Sequence, residues 1–189
     1  MVEWSIAAFR AAEPVRSIVV ACPPGHVHDL GGHDLGVVPG GETRAQSVAN
    51  ALEAVGTPLV AIHDAARPLV TAELIEALVA RLAEAPDVAG VIAATQVTDT
   101  IKQAVSMTRD AFPSNEMGNA SLVIEQTLDR RRLWAAQTPQ VFCTDALRAA
   151  LAGDPERVAT ATDEAMLIEA AGGTVLIHPA EAANFKVTT

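Results

Sequence analysis

The chain has 189 residues, half of them apolar, and a formal net charge of −10. That length fits one domain, and the acidic balance argues against nucleic acid or an anionic membrane as partner. No apolar run reaches the roughly 18 residues of a bilayer span. Met1–Ser5 shows no basic stretch leading into an apolar one, as a secretory signal would. The two cysteines, Cys22 and Cys143, are too few for a disulfide framework, so the expected compartment is a reducing cytoplasm.

Val2 to Ala12 reads as an amphipathic helix, and the β-branched run Ser17–Cys22 as a buried strand ended by Pro23-Pro24-Gly25. Val37-Val38 is a short extended piece before the turn Pro39-Gly40-Gly41. Thr43 to Gln46 has the capping-box pattern and predicts a helix to about Val55. Leu59 to His63 reads as a strand, Thr71 to Ala85 as a helix and Val88 to Ala94 as a strand. Val97 to Lys102 stays extended, and the polar stretch Ser106–Ser121 reads as a loop or insertion. Thr127 and Leu133–Thr138 fall in extended segments. Thr144–Leu151 and Asp163–Ala171 read as helices, the latter stopped by Gly172-Gly173. Thr174–His178 and Phe185–Thr188 read as strands. Alternating strands and helices predict an α/β fold with a largely parallel sheet covered by helices on both faces.

In such sheets ligands bind beyond the carboxyl ends of the strands. Three places there carry unusual residues. Pro39–Ser47 is either a tight turn with a capped helix or a close backbone approach to a ligand, with Ser47 as a polar contact. His63–Pro68 is either an Asp64–Arg67 turn or a site in which Asp64 holds Mg²⁺ or a ribose hydroxyl and Arg67 a phosphate. Thr162-Asp163-Glu164 reads as a helix start. Lys186 lies in an apolar stretch and needs a partner, either a phosphate or one of Asp163 and Glu164. His26, His28 and His33 match no standard zinc spacing, and Cys143 has no base close in sequence.

Taken in order, Gly40-Gly41-x-x-Arg44-x-x-Ser47, Val60-x-x-His63-Asp64-Ala65-Ala66-Arg67-Pro68, Asp99–Lys102, Thr127–Arg130, Leu133-Trp134-x-x-Gln137-Thr138-Pro139-Gln140-x-Phe142, Thr162–Glu164 and Asn184-x-Lys186-Val187-Thr188 resemble the 2-C-methyl-D-erythritol 4-phosphate cytidylyltransferase family of the non-mevalonate isoprenoid pathway. The resemblance implies a three-layer α/β/α Rossmann-like nucleotidyltransferase, here a single domain over 1–189. An extended β-arm at about 97–134 would make a homodimer. It implies cytidylyl transfer from CTP to 2-C-methyl-D-erythritol 4-phosphate, with Mg²⁺ and release of pyrophosphate. Gly41, Glu42, Ser47 and Ala65 would bind CTP, and Asp64 would be the Mg²⁺ ligand. Lys186, Asp64 and Arg130 would be the catalytic residues. Thr138 and Thr162 would line the acceptor pocket, and Arg67, Thr100 and Arg130 would hold the acceptor phosphate, some of them for the partner's site. Two other readings stand beside this one: ribitol 5-phosphate or another polyol phosphate as acceptor, and a catalytically silent relative.

Against the family pattern, Glu42 stands in place of the usual Asp, and Ser106–Ser121 is longer than the usual arm tip. Family members open with a strand and a glycine-rich, Arg- and Lys-bearing loop that wraps the triphosphate, and they end in a closing helix. The resemblance implies that both are absent here. It follows that the chain alone is expected to lack a central strand, and to be poorly active and poorly soluble.

Overall fold

The computed structural model describes residues 1–23, 25–26, 35–107 and 121–187. The expectations placed on Pro24, His28, His33, Thr188 and most of the 106–121 segment lie outside the described residues. The chain divides into two compact units, one of residues 1–94 with 136–189, the other of residues 95–135.

Fourteen helices and strands are named here in chain order. They are α1 (Val2–Ala11), β1 (Ile18–Cys22), β2 (Leu35–Pro39), α2 (Arg44–Leu52), β3 (Leu59–Ile62), α3 (Ala72–Ala83) and β4 (Gly90–Gln96), then β5 (Lys102–Met107), β6 (Ser121–Thr127), β7 (Trp134–Cys143), α4 (Thr144–Leu151), α5 (Pro155–Thr160), α6 (Glu164–Ala170) and β8 (Val175–Pro179). The local signals in the sequence account for several of the boundaries. Thr43 Oγ1 accepts from the Gln46 amide and Thr71 Oγ1 from the Leu74 amide, capping α2 and α3. Gly172, at φ +84, takes the left-handed position after α6, and Gly173 N–H bonds back to the Ile168 carbonyl. Thr71→Ala removes one cap and is expected to lower stability by about 1 kcal/mol, read as a shift in the urea midpoint at constant slope.

The larger unit is a sheet with helices on both faces. In β4, Ile92 joins a core with Val48, Leu52, Phe142, Leu147 and Ile168, whereas Val91 and Ala93 join Leu78, Leu82 and Val141. Successive strand residues point to opposite faces, so one strand feeds both cores and the layers are helix, sheet, helix. Gly90 is required by this packing: a Cβ there would lie 2.3 Å from Phe142 Cδ1. Ile75 of α3 packs separately with Ala12 and Val70.

Strand direction differs from the expected largely parallel sheet. The order β3-β7-β4-β8 is mixed, with β3 antiparallel to β7 and β4 parallel to β8. β1 and β2 form a separate parallel pair, Ile18 opposite Leu35. An apolar cavity of about 620 Å³ is lined by Val19 and Val20 of β1, Val60 and Ile62 of β3, Phe9 and Val48. Phe185–Val187, expected as part of a strand, carries no ladder; its backbone is tied to the fold by Val187 N–H to the Ala66 carbonyl, 2.8 Å. Pro155–Thr160 forms a short helix that the sequence reading passed over.

The smaller unit contains the antiparallel hairpin β5–β6, with an irregularity between Gln103 and Ala104. Lys102 Nζ donates to Thr127 Oγ1 at 2.7 Å. Val105, Leu122 and Ile124 are exposed on it, at 42, 76 and 60%. No helix among the described residues is long and apolar enough to cross a membrane.

Candidate active site

The carboxyl end of β3 delivers His63 and Asp64 to the centre of the site. Asp64 receives two cations from distant parts of the chain. Arg44 Nε lies 3.3 Å from its Oδ1 and Lys186 Nζ 2.9 Å from its Oδ2. Burial pushes the Asp64 carboxyl up, but the Lys186 bond and the Arg44 charge together hold it below the usual range. It is therefore ionised at neutral pH.

Arg44 is the first residue of α2, where the helix dipole disfavours a cation. Two carboxylates offset that: Arg44 Nη1 also bonds Glu164 Oε1. Glu164 opens α6 and is 1% exposed. Burial raises its carboxyl above the usual value, and the guanidinium counters part of the rise. Its second oxygen, Oε2, has no hydrogen-bond partner among the described residues. Asp163, not Thr162, caps α6 through the Met166 amide, and its other oxygen accepts from Gln140.

The glycine turn is tightly built. Gly40 N–H bonds the Cys22 carbonyl at 2.6 Å, and Gly41 N–H bonds Ser47 Oγ at 3.0 Å. Ser47 Oγ in turn donates to the Thr43 carbonyl. Gly41 has no room for a Cβ, which would meet Gln46 Cγ at 2.3 Å. The Gln46 side chain reaches back to Glu42 N–H, a variant of the capping box one residue early. Glu42 and Ala65 are exposed.

The loop after β3 is braced on several sides. Arg67 N–H closes a turn on the Asp64 carbonyl, while the Arg67 guanidinium donates to the carbonyls of Asn184 and Ala136. Thr138 is buried, and its hydroxyl meets both Asp64 N–H and His63 Nδ1. Burial lowers the His63 pKa to about 4, so the imidazole is neutral.

The structure thus brings Asp64, Lys186, Arg67 and Thr138 into one hydrogen-bonded cluster. Thr162 is exposed, with its hydroxyl 4.0 Å from Met166 Sδ. Thr100 and Arg130 belong to the smaller unit, where Arg130 Nη1 donates to the Thr98 carbonyl. Of the counter-charges left open for Lys186, neither Asp163 nor Glu164 is its carboxylate partner: Asp64 is, while Glu164 is taken by Arg44 and Asp163 by the α6 cap and Gln140. Sequence reasoning missed Arg44 and Glu164 as site residues, and Asn184 and Gln140 as its buried supports. The available signal was that all four lie within the ordered motifs that carry the family resemblance. Among the described residues no three His, Cys, Asp or Glu side chains form a metal-binding group.

A helix-covered sheet with a cation–carboxylate cluster at the carboxyl end of β3 belongs to the α/β class, whose ligands bind beyond strand carboxyl ends. Residues 1–189 match the family described as 2-C-methyl-D-erythritol 4-phosphate cytidylyltransferase, and the chain belongs to that family. It is 41% identical over 190 residues to the "Bifunctional enzyme IspD/IspF" of Anaeromyxobacter sp. (strain Fw109-5), covering 96% of this chain and 45% of that protein. The chain thus spans about half the length of the bifunctional relatives it matches. It is 38% identical over 200 residues to the 2-C-methyl-D-erythritol 4-phosphate cytidylyltransferase of Bordetella petrii, covering 100% of this chain and 80% of that one. The crystal structure of the enzyme of that name from Thermus thermophilus superposes with a TM-score of 0.74 at 34% identity, covering 99% of this chain and 81% of that one. The Francisella tularensis structure gives 0.79 at 28% identity, covering 100% and 82%.

Proposed function

We propose that this chain transfers a cytidylyl group from CTP to 2-C-methyl-D-erythritol 4-phosphate and releases pyrophosphate. The observation that carries the reading is the Lys186–Asp64–Arg44 cluster at the end of β3, within the family's residue pattern. The acceptor phosphate is a nucleophile at neutral pH, so the reaction needs no side-chain base. It needs two anions aligned and the charge on phosphorus neutralised.

On this reading Lys186 leaves Asp64 for a phosphate oxygen in the reacting complex. Asp64, already ionised, is then free to accept a ribose hydroxyl or a cation. Mg²⁺ is usually held by one or two carboxylates together with substrate phosphates, and Asp64 meets that requirement once its Oδ2 is released. Bound there, the ion would draw charge from the phosphates. Gly41, Glu42, Ser47 and Ala65 are assigned to CTP, Thr138 and Thr162 to the acceptor pocket, and Arg67, Thr100 and Arg130 to the acceptor phosphate, some of these three for the partner subunit's site. The exposed Val105, Leu122 and Ile124 of β5–β6 support this hairpin as the homodimer arm. The cytoplasm is the assigned compartment.

The test is pyrophosphate release with CTP and either 2-C-methyl-D-erythritol 4-phosphate or ribitol 5-phosphate. Turnover is expected with the first and much less with the second. Equal or faster turnover of ribitol 5-phosphate overturns the acceptor assignment. No CTP-dependent release with either overturns the enzymatic reading of this chain.

A further inference from the structure

We propose that His63 is a positioning residue that fixes Asp64 and, through it, Lys186; the catalytic part of this rests on the cytidylyl-transfer reading above. The imidazole sits between two parts of the site. Its Nδ1 is 3.1 Å from Thr138 Oγ1, and its Nε2 is 3.1 Å from the Arg67 carbonyl. Thr138 Oγ1 also receives the Asp64 amide at 3.0 Å.

Counting protons assigns every donor. A carbonyl oxygen can only accept, so Nε2 carries the imidazole proton and donates it to Arg67. In the neutral ring, Nδ1 is then an acceptor. Thr138 accepts from the Asp64 amide and has one hydroxyl proton left, which goes to Nδ1. The result is a directed chain from Asp64 N–H to the Thr138 hydroxyl to Nδ1, and from Nε2–H to the Arg67 carbonyl. One tautomer therefore braces both ends of the 64–67 turn.

The chain closes into a circuit. Arg67 Nη1 donates to the Asn184 carbonyl at 2.8 Å, and Asn184 Nδ2 donates to the Thr138 carbonyl at 2.9 Å. Asn184 Nδ2 also donates to Gln137 Oε1 at 2.8 Å. Val187 N–H meets the Ala66 carbonyl on the far side of Lys186. The segment bearing Lys186 is thus held at both flanks against the turn that His63 braces. The 2.9 Å meeting of Lys186 with Asp64 depends on that circuit. Phe9 of α1 packs on the imidazole with ring centroids 5.4 Å apart, which leaves the ring little room to turn.

Three variants separate the two arms. His63→Asn keeps an amide oxygen near the Nδ1 position and gives up the Arg67 bond. His63→Gln keeps an amide N–H near the Nε2 position and gives up Thr138. His63→Phe keeps the ring packing and gives up both. Positioning errors on the scale of an ångström cost about 10²-fold in rate, so His63→Phe is expected to lower kcat by tenfold or more with a smaller change in KM for CTP. His63→Asn should recover more than His63→Gln, since it keeps the arm that reaches Asp64. Nitrogen-15 spectra of the wild type should show the Nε2–H tautomer, and His63→Phe should shift the Asp64 amide signal.

An Nδ1–H tautomer overturns the proposal. So does a folded His63→Phe with unchanged kcat, or equal losses in all three variants that simply track their melting temperatures. If the wild type shows no turnover, the cytidylyl reading fails instead. The tautomer and the Asp64 amide shift then decide the positioning claim by themselves, and an unmoved amide signal overturns it.

Discussion

Lys186→Met should lower kcat by about 10²–10³-fold, the loss that follows removal of one preorganised contact to transition-state charge, with little change in melting temperature. The two parts of that expectation have different causes. The Lys186 side chain is 43% exposed and its ion pair with Asp64 faces solvent on one side. Pairs of that kind contribute about 0–1 kcal/mol to folding. Asp64 also keeps Arg44 as a partner, so the variant leaves no bare buried charge. The same exposure makes the ammonium easy to transfer from a carboxylate to a phosphate, since it gives up an interaction of small net value. In the transition state there is no such substitute. On the proposed reading charge accumulates on the phosphoryl oxygens, and the ammonium held between the Asn184 and Val187 anchors would be the cation that meets it. Lys186→Arg keeps the charge in a bulkier, planar form and should recover only part of the rate. Unchanged turnover in a folded Lys186→Met would remove Lys186 from the chemistry.

Arg44→Met has its largest expected effect on stability, a loss of about 3 kcal/mol at neutral pH. Breaking a buried ion pair by deleting one partner costs about 3–5 kcal/mol, and the 33% exposure of the Arg44 side chain places this one at the low end. The cost falls on Glu164, which is 1% exposed and whose Oε2 already lacks a hydrogen bond among the described residues. Arg44→Met/Glu164→Leu should recover much of the loss, because replacing both charges by apolar groups removes the unpaired carboxylate. The pH dependence follows from the direction of the Glu164 shift. Its folded-state carboxyl lies above the usual value, and loss of the guanidinium moves it higher. A group raised in the folded state contributes stability that is fully present below its unfolded pKa and is lost as pH rises through the folded one. The deficit of Arg44→Met relative to wild type should therefore be largest near neutrality and shrink in acid. Urea titrations at several pH values would show it, and a deficit that grew on acidification would contradict the assignment to Glu164.

Much of this molecule was legible from local patterns because local forces set them. Thr43 caps α2 where its spacing predicted, and Gly172 stops α6 as expected. β1, β3 and β4 fall on β-branched or apolar runs. The direction of β3 against β7 was not legible, since antiparallel pairing of segments some eighty residues apart leaves no mark on either one. α5 was missed although Asp154 caps it and Pro155 occupies its first turn; six residues are too few to show a helical period. Phe185–Val187 alternates like a strand, but among the described residues no strand pairs with it.

The candidate site divides along the same line. The strand-end rule led to Asp64, and the need of a lysine for a counter-charge led to the right question about Lys186. The sequence left a phosphate, Asp163 or Glu164 open as that counter-charge, and the carboxylate that meets Lys186 is Asp64, 122 positions away. Arg44 and Glu164 lie 120 apart and looked like ordinary helix-start residues. Asn184 and Gln140 carry no chemistry of their own and become visible only once their burial is known.

The division into two compact units has a spectroscopic consequence. The chain has two tryptophans and no tyrosine, and Trp4 falls in the larger unit while Trp134 falls in the smaller one. Each unit carries a single intrinsic fluorophore, free of tyrosine emission. Trp4→Phe and Trp134→Phe would each silence one unit and leave the other to report. Emission from the two variants can then tell whether the hairpin and the helix-covered sheet melt together or in turn.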